Sequence, residues 1–193
     1  TVEWDCDRLV RNDRVIWASC MVTCEDADAM VTGNTRRYSS SLEKIIKVVD
    51  PRQGEIMFVL NLIVNRGKTI FLCDTSVIEY PDAKQLAEMA KSAARVVRLF
   101  GFDPKIAFLS HSTFGEPATD RTKRLSDAVE ILKKDNVDFK FDGEMQPDVA
   151  LEEVYKELYP FSEIVGSSNV LIMPSQHSAC LLYTSPSPRD ETK

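Results

Sequence analysis

The residues best suited to chemistry lie in a polar loop that directly follows a short apolar run. The loop spans 110–115 and supplies three hydroxyls, an imidazole and a flexible glycine, from Ser110, Ser112, Thr113, His111 and Gly115. Such a loop can hold a phosphate or an acyl oxygen through hydroxyls and backbone N–H groups. A plain strand-to-helix connection whose hydroxyls cap the next helix is the alternative. A Ser/His/Asp nucleophile is the weakest interpretation, because adjacency in sequence does not create the required hydrogen-bond geometry.

Carboxylates follow two further predicted strands. Asp142 and Glu144 come after the strand predicted at 139–141, and Asp74 comes after the strand predicted at 69–73. Paired carboxylates could hold a metal or act as a general base. A turn with exposed acids and a helix cap is the favoured interpretation of Asp142-Gly-Glu144. Because ligands of open α/β sheets bind where strand carboxyl ends meet such loops, we expect these acids to give polar support to a site there.

A second polar turn, at residues 33–41, is predicted to follow a strand and open a helix. Its candidate ligand-binding residues are Gly33, Arg36, Arg37 and Ser39. Two guanidiniums and several hydroxyls at the positive end of a helix suit a phosphate or the pyrophosphate of coenzyme A. An N-capped helix with solvated arginines explains the pattern equally well. We expect this turn and the 110–115 loop to emerge on the same rim and to share one ligand.

The elements that must position these loops alternate along the chain. Helices are predicted at 5–24, 39–49, from Pro81 to Phe100, at 119–134 and at 149–158; strands are predicted at 28–32, 56–64, 69–73, 106–109, 139–141 and 170–173. The pair flanking residues 65–68 indicates a β-hairpin with Gly67 at a positive φ. Continuous apolar runs such as 106–109 are typical of parallel strands covered on both faces. The fold class is therefore α/β, with three layers and a mostly parallel sheet.

Bulk properties exclude several classes of function. The 193 residues are 44% hydrophobic and 28% charged, as in a soluble globular domain. A net charge of −6 disfavours nucleic acid as a partner, and no apolar run approaches the ~20 residues of a membrane span. Five cysteines without a preceding secretory signal predict reduced thiols and a cytoplasmic location. Cys20 and Cys24 lack the further ligands that a metal site needs, so we predict none.

Nucleotide-binding and hydrolase fingerprints are missing from the sequence. There is no G-x-G-x-x-G, no G-x-x-x-x-G-K-[ST] and no G-x-S-x-G. A self-contained dehydrogenase or kinase is therefore disfavoured. The chain opens at Thr1 within a helical pattern, which predicts a fragment or an excised domain. Residues 181–193 contain Ser185-Pro-Ser-Pro188 and predict a disordered or artefactual tail, which leaves one partial domain at 1–180.

Seven segments carry a resemblance to a known family. They are Ala27-Asp-Ala-Met-Val-Thr-Gly33, Phe71-Leu-Cys-Asp-Thr75, Gln85-Leu-Ala-Glu-Met-Ala90, Arg98-Leu-Phe-Gly-Phe-Asp-Pro-Lys105, Leu109-Ser-His-Ser-Thr-Phe-Gly115, Asp142-Gly-Glu-Met145 and Asn169-Val-Leu-Ile-Met-Pro174. In order and spacing they resemble the phosphotransacetylase-like C-terminal domain of bacterial NADP-dependent malic enzymes, within the phosphate acetyl/butyryl transferase family. The segment ending at Gly115 resembles the malic-enzyme branch.

The resemblance implies a fold, a parent activity and partners. The fold would be isocitrate/isopropylmalate-dehydrogenase-like. The parent would decarboxylate malate oxidatively to pyruvate with NADP and Mg or Mn, using upstream domains. This domain would sense acetyl-CoA, with acyl phosphate as a related ligand, and would build a homo-oligomer. The alternatives are a phosphate acyltransferase, which moves acetyl between phosphate and CoA, and a purely structural oligomerisation domain.

Two departures from the family pattern refine the expected site. The family's catalytic Asp-Leu-Ser-Arg-Gly segment is not found, so the resemblance implies no catalytic residue in this chain. The family also contacts CoA through an arginine after the helix leucine, whereas Leu42 is followed here by Glu43. Lys44, Arg36 or Arg37 are the candidate substitutes.

Overall fold

A computed structural model describes residues 2–33, 35–51, 55–65, 67–73, 76–116 and 118–179. The chain divides into two compact units, Thr1–Gly54 and Glu55–Lys193. The described part of the first unit contains three helices and the turns that follow them, and the sheet lies in the second unit. No described helix combines the length and apolarity needed to cross a membrane.

The helix predicted at 5–24 is two helices rather than one. α1 spans Val2–Asn12 and α2 spans Arg14–Thr23. Between them Asp13 is extended, with φ −127° and ψ 114°, and its carboxylate accepts hydrogen bonds from the N–H groups of Val15 and Ile16. A side chain that satisfies the free N–H groups of a helix start favours a new helix over a continuous one.

The strand predicted at 28–32 is wrong. These residues form no ladder, and Val31 is fully exposed. A strand needs a neighbour for its backbone N–H and C=O groups, and local alternation of apolar residues does not supply one. The helix predicted at 39–49 is confirmed as α3, Tyr38–Ile46, although it ends three residues earlier.

The second unit contains a five-stranded sheet in the order β1-β2-β5-β3-β4. The strands are β1 Leu60–Asn65, β2 Lys68–Cys73, β3 Lys105–Leu109, β4 Lys140–Met145 and β5 Val170–Ile172. β1 and β2 are antiparallel, and Gly67 has a φ of 79° in their connection, which confirms the hairpin. The pairs β2–β5, β5–β3 and β3–β4 are parallel, so the mostly parallel α/β class is confirmed. The predicted strand at 56–64 begins only at Leu60.

Helices cover both faces of this sheet. α4, Ala83–Leu99, and α5, Asp120–Lys134, pack on the face that carries Phe71, Ile106, Phe108, Val170 and Ile172. Leu72, Ala107, Leu109 and Leu171 point to the opposite face, where they pack with Val149 and Ala150 of α6, Pro147–Leu151. Neighbouring residues of each apolar run thus serve opposite faces, as expected of strands buried on both sides. The predicted three layers are present in this unit.

Two of the predicted helix ends need correction. Phe100, predicted on the buried stripe of α4, is its C-cap residue and is 59% exposed. The helix predicted at 149–158 divides into α6 and a 3-10 turn, Glu153–Glu157. The reason is that Gly166 and Ser168 donate backbone hydrogen bonds to the carbonyls of Val149 and Ala150, at 2.9 and 3.1 Å. Those carbonyls would otherwise accept from the next helical turn.

Candidate functional site

The 110–116 loop lies at the edge of the sheet where parallel strands β3 and β4 end together. Ser110 N–H donates to the carbonyl of Met145 at 2.9 Å, and Phe114 N–H donates to the carbonyl of Glu144 at 2.8 Å. Gly115 has a φ of 94°, a left-handed conformation that favours glycine. The loop is therefore held against the end of β4 by its own backbone.

Glu144 is the side chain around which this loop is organised. It is 1% exposed, and its Oε1 accepts from Gly115 N–H at 2.8 Å and from Ser112 Oγ at 3.3 Å. Its Oε2 accepts from Ser126 Oγ of α5. The interpretation of Asp142-Gly-Glu144 as a turn with exposed acids is wrong, because these residues belong to β4 and Glu144 is buried. Asp142 accepts instead from its neighbour Gly143, at 2.9 Å.

The candidate hydroxyls of the loop bind other groups of the protein. Ser112 has no exposed surface, and its Oγ lies 3.2 Å from Ser110 Oγ. Thr113 Oγ1 accepts from Gln146 N–H at 3.2 Å. In this conformation the hydroxyls shape the loop, and the exposed residues are His111, Gly115 and Glu116. A direct contact between a ligand and Ser112 would require the loop to open.

A cavity of about 360 Å³ opens beside the loop at the start of α5. Glu144, Ser126, Gly115 and Lys123 are among its lining residues. Ser126 was missed by sequence reasoning, because its partner Glu144 lies 18 positions away and on a different element. The helix start itself is occupied by a capping box between Thr119 and Thr122.

The candidate residues of the first unit are only partly brought together. A cavity of about 380 Å³ is lined by Arg14, Val15, Ala18, Val31, Thr32, Gly33, Thr35 and Arg36. Gly33 and Arg36 therefore share it, whereas Arg37 and Ser39 are not among its lining residues. Arg37 occupies the N-cap position of α3 without a capping hydrogen bond from its side chain, so the predicted side-chain cap is absent. Arg36 and Arg37 are both exposed, as the alternative of solvated arginines expects.

Arg14 is a second residue that sequence reasoning missed. No carboxylate stands three or four positions before or after it, so it has no local ion-pair partner on its helix. The missing local partner of Arg14 is the sequence feature that could have identified it. The tertiary structure adds that Arg14 and Arg36 line one cavity.

The Asp13 carboxylate binds two cationic side chains of the first unit. It accepts a hydrogen bond from Lys44 of α3 and one from Arg36 at 3.3 Å. The Lys44 ammonium, above all, and then the N–H groups of Val15 and Ile16 and the Arg36 guanidinium hold the pKa of Asp13 well below its usual range, against the opposing effect of burial. Lys44 and Arg36, two of the residues that the resemblance offered as CoA contacts, are thus paired with the same carboxylate.

Three sequence expectations stay predictions. The 110–115 loop and the 33–41 turn belong to different units, so their common rim is untested. Asp74 and the predicted tail at 181–193 lie outside the described residues. Among the residues that the structure describes, no group of three His, Cys, Asp or Glu side chains could hold a metal ion.

Sequence relatives of the chain include malic enzymes and phosphate acetyltransferases. It is 42% identical over 177 residues to the NADP-dependent malic enzyme of Rhizobium meliloti, a match that covers 92% of this chain and 23% of the relative. The NADP-dependent malic enzyme of Escherichia coli is 34% identical, over 91% of this chain and 23% of the relative. The phosphate acetyltransferase of Bacillus subtilis is 30% identical, over 81% of this chain and 49% of the relative. The chain spans about a quarter of the length of the malic enzymes that it matches.

Solved structures show the same fold, and a family profile covers most of the chain. A phosphotransacetylase from Streptococcus pyogenes matches with a TM-score of 0.78 and 27% identity, over 87% of this chain and 52% of that chain. The EutD phosphotransacetylase from Staphylococcus aureus matches with a TM-score of 0.71 and 22% identity, over 88% and 53%. The profile described as phosphate acetyl/butaryl transferase matches residues 3–185. The fold, the relatives and this match together establish that the chain belongs to the phosphate acetyl/butaryl transferase family.

Proposed function

We propose that this chain is the phosphotransacetylase-like C-terminal domain of a bacterial NADP-dependent malic enzyme, in which it binds acetyl-CoA and regulates the conversion of malate to pyruvate. One observation carries the proposal. The chain is 42% and 40% identical to two NADP-dependent malic enzymes but 29% and 30% identical to two phosphate acetyltransferases. The sequence is thus closer to the malic-enzyme branch of its family.

The geometry of the 110–116 loop supports binding rather than catalysis. The hydroxyls of Ser110 and Ser112 contact each other, and Ser112 donates to the buried Glu144. Within the described residues, no hydrogen bond joins the His111 ring to a serine or a carboxylate. Ser112 has no exposed surface, so its hydroxyl does not face a substrate in this conformation. A loop held in this way presents a fixed surface to a ligand.

NADP and Mg or Mn belong, in this proposal, to the upstream domains of the parent enzyme. The residues at hand do not fit either group: the described part holds no set of three metal-ligating side chains, and the sequence has no Gly-rich dinucleotide fingerprint. The ligand assigned to this chain is acetyl-CoA. The proposal also holds that the intact protein is a homo-oligomer in the cytoplasm. It further holds that the fold of this chain is isocitrate/isopropylmalate-dehydrogenase-like.

The test is an assay of the intact protein that contains this chain. NADP-dependent malate oxidation is measured with and without acetyl-CoA, and acetyl-CoA binding to the 193-residue chain is measured by calorimetry. We expect acetyl-CoA to bind and to change the rate of malate oxidation. If calorimetry detects no heat of binding at millimolar acetyl-CoA and the rate of malate oxidation is unchanged, the regulatory proposal is wrong and the domain has a purely structural role.

A phosphate acyltransferase is the second candidate. The likeness to solved phosphotransacetylases, with a TM-score of 0.78 in one case, favours it. In that reaction the acetyl group moves from phosphate oxygen to the sulfur of CoA and phosphate is released. Thioester formation from acetyl phosphate and CoA by the intact protein would support this candidate over the regulatory one.

A further inference from the structure

Cys20 and Cys24 lie four positions apart at the end of α2. Both are free thiols; Cys20 is half-buried and Cys24 is exposed. The N–H of Cys24 donates to the carbonyl of Cys20 at 2.8 Å, so the helical turn between them is intact. Residues at this spacing lie on the same side of a helix with Cβ atoms ~5–6 Å apart. The backbone therefore holds two thiols next to each other.

This spacing opposes a disulfide bond within the pair. A disulfide needs Cβ atoms ~3.5–4.5 Å apart, so the two sulfurs could join only if the last turn of α2 unwound. That turn is held by the segment that follows it, because the N–H groups of Asp26 and Ala27 donate to the carbonyl of Met21 at 2.8 and 3.2 Å. An intact α2 thus keeps the two sulfurs from bonding to each other and leaves both for an external reagent.

Two sulfurs without a third ligand select a particular chemistry. Structural zinc takes four ligands, and the part of the chain that the structure describes holds no group of three His, Cys, Asp or Glu side chains for a metal ion. Sulfur ligands favour soft elements. Trivalent arsenic that carries one organic group needs only two sulfurs to complete its bonds. The arsenic atom also lengthens the bridge, which suits a pair spaced too widely for a direct S–S bond.

We propose that Cys20 and Cys24 form a dithiol site on α2 that binds a trivalent organic arsenical across its two sulfurs. With an arsine oxide, R–As=O, two As–S bonds form while the As=O bond and two S–H bonds break. The oxygen leaves as water together with both thiol protons. Arsenic stays trivalent, so the step needs no oxidant or reductant. The site is independent of any binding of acetyl-CoA.

The test is titration of the folded 193-residue chain with phenylarsine oxide, followed by native mass spectrometry. We expect one arsenical per chain, retained in excess 2-mercaptoethanol and released by 1,2-ethanedithiol. Cys20→Ser and Cys24→Ser should each weaken binding about a hundredfold or more, because the second As–S bond forms within one molecule at a high effective concentration. Cys6→Ser is the matched control, since Cys6 is an exposed thiol on the separate helix α1. Cys180→Ser is the second control, and both controls should bind as the unchanged chain does.

A thermal melt tests whether the folded helix presents the pair. A ligand that binds the folded chain better than the unfolded chain raises the melting temperature. Phenylarsine oxide should therefore raise the melting temperature of the unchanged chain and of Cys6→Ser, but not that of Cys24→Ser. A lowered melting temperature would show that the arsenical prefers the unfolded chain, which overturns a site on α2.

The binding data have two outcomes that overturn the pair. One is full affinity in Cys24→Ser, the variant that decides the test because its exposed thiol contributes little to packing. The other is a loss of affinity in Cys6→Ser or Cys180→Ser as large as that in Cys24→Ser, which would place the second sulfur elsewhere. An arsenical that 2-mercaptoethanol removes as readily as 1,2-ethanedithiol does would show attachment to one sulfur only and would also overturn the site.

Discussion

Glu144 of β4 accepts a hydrogen bond from the backbone N–H of Gly115, 29 positions earlier in the chain, at 2.8 Å. The same carboxylate accepts from Ser112 of the loop and from Ser126 of α5. One buried side chain thus joins a strand, a helix and the loop that follows β3. The conformation of that loop is consequently set by a residue outside it.

Removal of the Glu144 charge should destabilise the second unit. Glu144→Gln keeps the shape of the side chain but turns an amide N–H₂ toward groups that donate hydrogen bonds to the carboxylate in the unchanged chain. We therefore expect the free energy of unfolding to fall by about 1–3 kcal/mol. Denaturant unfolding measures it. Glu130→Gln is the control, because Glu130 is exposed and pairs only with Lys133 on the same helix among the described residues. Equal unfolding midpoints for the two variants would contradict the role given to Glu144.

The loss of Asp13 should destabilise the first unit. Asp13→Ala removes the N-cap of α2 and the partner of Lys44 and Arg36, with an expected cost of about 1–2 kcal/mol. Asp13→Asn keeps a capping oxygen and should cost less. Circular dichroism melts measure both, with Asp7→Asn as the control because Asp7 lies in an exposed ion pair. The prediction is wrong if Asp13→Ala melts at the same temperature as the control.

Asp13 also predicts how stability depends on pH. The pKa of its carboxyl is lowered in the folded chain, chiefly by Lys44. Its contribution is therefore fully present above the unfolded pKa of about 4 and is lost as the pH falls toward the folded value. The difference in melting temperature between the unchanged chain and Asp13→Asn should be constant near neutral pH and should shrink below about pH 4. A difference that grows on acidification would show the opposite shift.

Substitution of Gly143 should be more costly than substitution of Gly67. Both have positive φ angles, 143° and 79°, so alanine is strained at either. A Cβ at Gly143 would also lie 2.9 Å from Cβ and O of Phe108, whereas a Cβ at Gly67 would meet no atom within 4 Å. We expect Gly67→Ala to cost about 1 kcal/mol and Gly143→Ala about 1–3 kcal/mol more. Chemical denaturation of the two variants side by side tests the order.

The edge strand β1 should promote self-association. Leu62, Ile63 and Val64 are 46%, 37% and 66% exposed, and β1 pairs with β2 alone among the described strands. An exposed apolar edge can pair with another chain, and a lysine there opposes such pairing. Val64→Lys should reduce light scattering at high concentration, whereas Val154→Lys, outside the sheet, should not. Equal scattering from both variants would place the association elsewhere.

Local signals were enough to identify most elements of the second unit. The apolar runs at 106–109 and 170–173 predicted strands buried on both faces, and both runs lie in central strands of the sheet with side chains in the core on each face. Gly67 marks the hairpin, and Asp82 with Gln85 forms the capping box that begins α4. In each case the information lies within a few residues, where turn chemistry and periodicity act directly.

Contacts between distant residues decided the rest. α6 ends because Gly166 and Ser168 donate to the carbonyls of Val149 and Ala150. Arg36 and Lys44 reach Asp13 from 23 and 31 positions away. Glu144 looks like an exposed acid in sequence and becomes buried only because Gly115, Ser112 and Ser126 converge on it. The sequence alone therefore determined the fold class and most element positions, since these follow from local pattern. The tertiary structure decided which polar groups are buried and satisfied, because hydrogen-bond partners far apart in the chain have no local signature.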